Sequence, residues 1–145
     1  MAKIDFSIAV RRPVEEVFAY LTDPANLPEW QSSATEGRLE GGGPMAKGAR
    51  FVEVRKFLGR RFESTLEVTE YDPPRRFAFR VVSGPVPFRA DHTLEPSDGG
   101  TQLSVVGEGE SGGFFKAAEP LVIRTVARQT KTDFETLKKL LEERG

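Results

Sequence analysis

Apolar and polar residues alternate from the start of the chain. Ile4, Phe6, Ile8 and Val10 take every second position against Asp5, Ser7, Ala9 and Arg11, which predicts a strand with one buried face. The period then changes. Val14, Val17, Phe18 and Leu21 fall on one side of a helix that opens at Pro13, a residue suited to a helix start, and stops at Asp23-Pro24. A second short helical turn ends at Trp30. A short strand follows near Ala34 to Glu40, and the glycine-rich region from Gly37 to Gly48 reads as a loop.

From Ala49 onward strands follow one another closely, over 49–58, 61–71, 76–83, 88–95 and 101–110. Phe62, Ser64, Leu66 and Val68 alternate with Glu63, Thr65, Glu67 and Thr69; Phe77, Phe79 and Val81 share a face, as do Phe88, Ala90, His92 and Leu94. Gly59-Arg60, Asp72-Pro73-Pro74, Gly84 to Pro87 and Ser97 to Gly100 mark the turns. Strands joined by such short turns imply an antiparallel meander. After Gly112-Gly113 and the short apolar stretch Phe114 to Ala118, a long helix runs from Pro120 to about Glu143. Its apolar positions include Leu121, Val122, Val126, Phe134, Leu137, Leu140 and Leu141, while Thr125, Gln129, Thr130 and Thr132 interrupt the stripe. A polar middle suggests that this part lies over a cavity or opens to water. The expected architecture is α+β: a curved seven-stranded antiparallel sheet wrapped around one long C-terminal helix, with two short helices after the first strand.

Composition narrows the function classes. At 145 residues the chain fits one domain, with enough length for a core without disulfides. The absence of cysteine removes thiolate nucleophiles and thiolate metal sites. A formal net charge of -1 argues against nucleic-acid binding driven by global charge, and the pairs Arg11-Arg12, Arg60-Arg61 and Arg75-Arg76 fall at strand ends or turns. The N-terminal residues do not resemble a signal peptide and no apolar run reaches membrane-spanning length, so a cytoplasmic location is expected. The Gly41-Gly42-Gly43-Pro44 run lacks phosphate-loop spacing. One histidine without a spaced carboxylate cluster predicts no metal site, and no cofactor is expected.

Four segments carry a resemblance. They are Pro13-Val14-Glu15-Glu16-Val17-Phe18, Asp23-Pro24-Ala25-Asn26-Leu27-Pro28-Glu29-Trp30, Glu67 to Arg76 (EVTEYDPPRR), and Gly99-Gly100-Thr101. In this order, across nearly the whole chain, they resemble the START-like (SRPBCC) superfamily with its helix-grip fold. The chain is most similar to the bacterial polyketide cyclase/dehydrase and lipid-transport branch. The motifs are structural rather than catalytic. The resemblance implies a deep cavity between sheet and long helix that accepts apolar or amphipathic molecules, and activities in the superfamily range from lipid carriage to aromatic cyclisation.

His92, the sole histidine, falls on the inward face of its strand. It is the candidate acid/base or ligand hydrogen-bonding group, and equally a half-buried side chain bonded to a backbone or hydroxyl group. Asp91 points to the other face and cannot easily orient it. Ser64 and Ser104 are strand hydroxyls that nothing activates. Trp30 is expected at the cavity mouth or as a plug of the core, with ligand contact as a second role. Phe62, Phe79, Phe88 and Phe115 suit either core packing or an aromatic or acyl ligand. Val105, Leu121, Thr125 and Gln129 complete the candidate ligand-contacting set, with the polar pair from the middle of the long helix. Arg55, Arg80, Arg89, Glu53 and Glu63 are expected on the convex, solvent side; a one-residue register shift would bring an arginine inward.

Three functions compete. The leading one is sequestration of a small hydrophobic or amphipathic ligand such as a lipid, polyketide or aromatic metabolite, with Gly41–Gly48 and Gly84–Pro87 as gate loops. The second is a cyclase or dehydratase in the same cavity with His92 as acid/base. The third is a protein-interaction module of chaperone-regulator type, which requires an exposed apolar patch. Edge-strand pairing into a homodimer is left open.

Overall fold

Among the described residues, seven strands build one antiparallel sheet. They are β1 (Lys3–Val10), β2 (Ala34–Leu39), β3 (Arg50–Phe57), β4 (Arg60–Asp72), β5 (Arg76–Ser83), β6 (Phe88–Ser97) and β7 (Gly100–Gly109), in the order β1-β7-β6-β5-β4-β3-β2. Helices α1 (Val14–Leu21) and α2 (Leu27–Trp30) follow β1, with a 3-10 turn at Pro24–Asn26 between them, and α3 (Pro120–Glu143) comes last. The computed structural model describes residues 3–41, 43–57, 59–84, 87–109 and 120–144, without the side chains at 57 and 120–123. The expected Gly112-Gly113 spacer and the apolar stretch at 114–118 lie outside the described residues, as do positions 42, 85 and 86 of the two expected gate loops.

From β2 to β7 the strands form the expected meander, and β1 closes on β7 with Phe6 opposite Val105 and Val10 opposite Thr101. The β6–β7 turn holds Asp98 at φ 45° and Gly99 at φ 79°. Two consecutive positive φ values match the right-handed strand twist, which is why Asp-Gly suits this position. Register shifts between Thr65 and Leu66 and between Val68 and Glu70 bend the β4–β5 pair. The concave face buries Val10, Leu66, Leu94 and Leu103 under α1 and α3. On the convex face, Val52 and Val54 are buried. Their cross-strand neighbours Glu36, Arg38 and Glu63 form a charged network whose aliphatic stems shield them.

Helix α3 divides into two halves. Phe134, Leu137 and Leu141, spaced three and four residues apart, are buried against the core. The turns before them face solvent, and Val126, expected in the apolar stripe, is 37% exposed. The threonines fold back on their own helix: Thr130 donates to the Val126 carbonyl at 2.9 Å and Thr132 to that of Arg128 at 3.0 Å. The polar middle is therefore a solvated face. The last turns of α3 hold the β1 edge, where Lys138 Nζ donates to the Ala9 carbonyl at 2.7 Å and the Arg11 N–H donates to Glu142 at 2.9 Å. These bonds occupy edge groups that would otherwise be open to another strand.

Gly37 positions the start of the site. A Cβ there would sit 2.1 Å from the Pro24 carbonyl oxygen and 2.9 Å from Leu27, so the turn leading into Trp30 rests directly on β2. Gly37→Ala should cost about 1–3 kcal/mol, because the obstruction is backbone and cannot rotate away. Urea unfolding followed by the fluorescence of the single tryptophan checks this, and an unchanged midpoint would show that the contact yields freely.

Candidate functional site

Strand alternation brings a set of aromatic rings to the concave face. Phe51 and Phe79 meet at 5.4 Å and 90°, Phe77 and Phe79 at 5.5 Å, and Phe79 and Phe88 at 6.3 Å. The His92 ring joins them, 5.6 Å from Phe79, 5.8 Å from Phe77 and 5.9 Å from Phe134. From the other side Trp30 packs edge-on against Phe134 at 4.8 Å. Offset and edge-to-face pairs of this kind are favourable and leave little space.

The space they leave is an internal pocket of about 30 Å³, bordered by Trp30, Gln31, Phe51, Glu53, Phe79 and His92 among others. That is room on the scale of water molecules. Among the described residues, Trp30, Phe134 and the phenylalanines occupy much of the space where the sequence resemblance implies a deep cavity. A wider, open groove of about 750 Å³ runs outside, between β1 and α3, and its walls are mainly charged, with Arg11, Lys138 and Glu142 among them. It lacks the apolar, enclosed character of a hydrophobic ligand site.

Four polar side chains border the pocket, those of Trp30, Gln31, Glu53 and His92. His92 is 4% exposed, and its Nδ1–H donates to the Phe77 carbonyl at 2.9 Å. A carbonyl only accepts, so this bond fixes the tautomer and leaves Nε2 as an acceptor. Trp30, 3% exposed, has its Nε1–H fully buried with no partner among the described residues. Glu53, 3% exposed, pairs with Arg55 through Nε at 3.2 Å and through a terminal nitrogen at 3.1 Å. Arg55 also donates to Ser33 Oγ at 3.0 Å and to Gln31 Oε1.

Glu53 and Arg55 correct the expectation that both face solvent. Phe51, Glu53 and Arg55 share the concave face of β3, opposite Leu66, Ser64 and Phe62. Both faces of β3 carry apolar residues, so alternation alone did not select the buried one. Arg80 and Arg89 are exposed, as expected. Asp91 lies on the convex face and is held by Arg76 at 2.7 Å, away from the His92 ring.

Of the candidate ligand contacts, Trp30, Phe79 and His92 border the pocket and Phe88 touches Phe79. Phe62 and Ser64 are half-buried on the concave face of β4, and Ser64 packs so tightly on Gly84 that an added Cβ would meet its Oγ at 2.5 Å. Val105 is buried opposite His92 and Phe6 in the core. Thr125 and Gln129 are exposed. Gln129 donates to Ser32 Oγ at 2.8 Å and to Asp133 Oδ1 at 2.9 Å, which ties α3 to the residues after α2. Phe115 and the Leu121 side chain lie outside the described residues. The pocket also takes Phe51, Phe77, Leu27, Gln31 and Glu53, which sequence reasoning did not select. For Glu53 the available signal was Arg55 two positions on, an opposite charge on the same strand face.

Burial pushes the His92 ring below its usual range, against smaller upward effects from the Phe77 hydrogen bond and nearby Asp91. In the unfolded chain the ring titrates near ~6.5. Below that pH the unfolded state takes up a proton that the folded state refuses. The resulting stability is therefore complete above ~6.5 and is lost as pH falls towards the lower folded value. One proton sets an upper limit of about 1.4 kcal/mol per pH unit on the slope in this window. Urea unfolding at several pH values between 7.5 and 5 should show this slope in the parent chain and a flatter one in His92→Gln; equal slopes would assign the effect elsewhere.

A family model described as "Polyketide cyclase / dehydrase and lipid transport" matches residues 1–142. The uncharacterized protein MT1597 of Mycobacterium tuberculosis is 27% identical over 106 residues, covering 72% of this chain and 74% of its own. A conserved protein from Geobacillus kaustophilus has a solved structure with a TM-score of 0.75 at 23% identity, covering 97% of this chain and 95% of that one. Protein CV1439 from Chromobacterium violaceum gives 0.74 at 19% identity, covering 97% of each chain. At these identities the structural likeness establishes the fold alone.

Proposed function

Because this chain belongs to the polyketide cyclase / dehydrase and lipid transport family, we propose that it binds a small hydrophobic or amphipathic ligand between the concave face of its sheet and α3. The observation that carries this reading is the polar set of Trp30, His92 and Glu53 enclosed by aromatic rings. A few placed polar groups in an apolar enclosure are the usual composition of a small-molecule site. The enclosed volume of about 30 Å³ means that a ligand must displace packed side chains. Small-molecule sites commonly span ~300–1,000 Å³. Half-buried Phe79 and Phe88, together with the mostly solvated stretch 124–132 of α3, are the elements least committed to the core.

Native mass spectrometry of the purified protein, followed by solvent extraction, tests the proposal. A co-purifying lipid or aromatic compound supports it. A clean unliganded mass, together with no change in tryptophan emission across a panel of apolar compounds, would count against it.

A second reading, an acid/base cyclase or dehydratase, is favoured by one observation. His92, buried and bonded through Nδ1–H to the Phe77 carbonyl, presents Nε2 as an available acceptor beside the pocket. Turnover that survives His92→Gln on any substrate found would remove this mechanism. The third reading, an interaction module, would need an exposed apolar patch. Among the described residues Val126 is the one large hydrophobic side chain classed as exposed, so that reading has little support.

A further inference from the structure

Trp30 presents a problem of its own. A buried N–H without an acceptor is costly, commonly reducing an equilibrium by about five- to a hundredfold relative to a satisfied one. Such groups persist in native structures when something else satisfies them. Trp30 lines the same small pocket as His92 and Glu53, and its indole Nε1–H is buried without a partner among the described residues. The three groups differ in hydrogen-bonding character. Trp30 Nε1 can only donate. His92 Nε2 accepts, because Nδ1 carries the proton that is given to Phe77. Glu53 also accepts, with Oε2 held by Arg55.

Among the described residues, no lysine or arginine borders the pocket. Arg55, just beyond it, is already committed to Glu53, Ser33 and Gln31. An anionic group entering this space would meet the Glu53 carboxylate and find no unoccupied cation. A hydroxyl both accepts and donates, so its oxygen can take the Trp30 proton while its own proton goes to His92 or Glu53.

We infer that Trp30 Nε1, His92 Nε2 and Glu53 form a subsite for one neutral hydroxyl group of the bound molecule, so that the pocket selects alcohols or phenols over carboxylic acids. This rests on the cavity-binding reading above and adds the chemical class. Trp30 supplies the donor, His92 and Glu53 supply the acceptors, and Glu53 repels carboxylates.

Three probes of nearly equal shape separate the possibilities: 2-naphthol, 2-methylnaphthalene and 2-naphthoate. The chain has one tryptophan, so its indole N–H gives a single resonance in a ¹H–¹⁵N spectrum that reports directly on the subsite. At pH 7.5, 2-naphthol should bind about tenfold or more tightly than 2-methylnaphthalene and should move the indole proton downfield, with 2-naphthoate weakest. Trp30→Phe, with affinities read by calorimetry, should weaken 2-naphthol more than 2-methylnaphthalene and so remove the naphthol preference. Glu53→Gln, which keeps the side-chain shape, should raise the affinity for 2-naphthoate. Equal binding of naphthol and methylnaphthalene, unaltered by Trp30→Phe, would overturn the hydroxyl subsite while leaving hydrophobic binding intact. Tightest binding of 2-naphthoate by the parent chain would also overturn it. Binding of none of the three would overturn the subsite and the cavity reading together.

Discussion

Phe134→Ala should lower stability by about 3–5 kcal/mol, the largest loss expected from any single truncation near the pocket. Phe134 is buried where α3 meets the sheet, and its ring touches Phe6 at 5.4 Å, Trp30 at 4.8 Å and His92 at 5.9 Å. Removing it takes a ring out of a site bounded by three others, which cannot all move inward. The loss corresponds to a fall in Tm of roughly 10–15 °C for a chain of this length. The same void lies next to Trp30 and His92, so the variant should gain what the parent lacks, an enclosed space of aromatic size. Benzene or toluene should therefore raise the Tm of the variant by more than that of the parent, whose packed side chains must first be displaced. A variant that loses stability without responding to either compound would show that the neighbouring rings collapse into the gap.

Arg55→Ala should cost about 3 kcal/mol, the lower end of the range for breaking a buried ion pair, because the Arg55 side chain is itself 29% exposed. The loss is asymmetric. Glu53 is left as a buried carboxylate without the guanidinium that holds it, and Gln31 and Ser33 lose a donor at the same time. Glu53→Gln added to Arg55→Ala should recover a substantial part of the deficit, since the stranded charge is then gone. Guanidinium or urea unfolding of the two single variants and the double variant forms the thermodynamic cycle that checks this. Additive losses would mean that the two side chains stabilise the fold independently.

The legible parts of the sequence were those in which one local pattern admits one structure. Ile4, Phe6, Ile8 and Val10 alternate cleanly and form β1 as expected. Asp98-Gly99 specifies a two-residue turn; β6 runs two residues past its expected end and β7 starts one residue before its expected start, so that they meet there. His92 was read onto the inward face because Phe88, Ala90 and Leu94 leave no other choice. In β3 the apolar residues Phe51, Val52 and Val54 occupy both parities, so the pattern does not say which face is concave. The answer comes from partners distant in the chain, with Glu36, Arg38 and Glu63 covering one side and the aromatic rings the other. The size of the pocket was equally illegible. It is set by how closely Trp30 approaches Phe134, a contact between residues over a hundred positions apart. The polar stretch of α3 was visible but ambiguous, and the threonine bonds to preceding carbonyls resolve it as a solvated helix face.

The pairing of β1 with β7 also governs the timing of assembly. Every other neighbour in the sheet is reached through a connection between consecutive strands, whereas Lys3 lies opposite Glu108 and Val10 opposite Thr101. During synthesis at ~5–20 residues per second, β1 waits roughly 5–20 s for its partner to be made. It then gains its outer bonds to Lys138 and Glu142 only when α3 exists. Pairings of such long sequence separation form late, after the local hairpins. The nascent chain therefore carries an unpaired, half-apolar strand throughout the interval in which the meander folds.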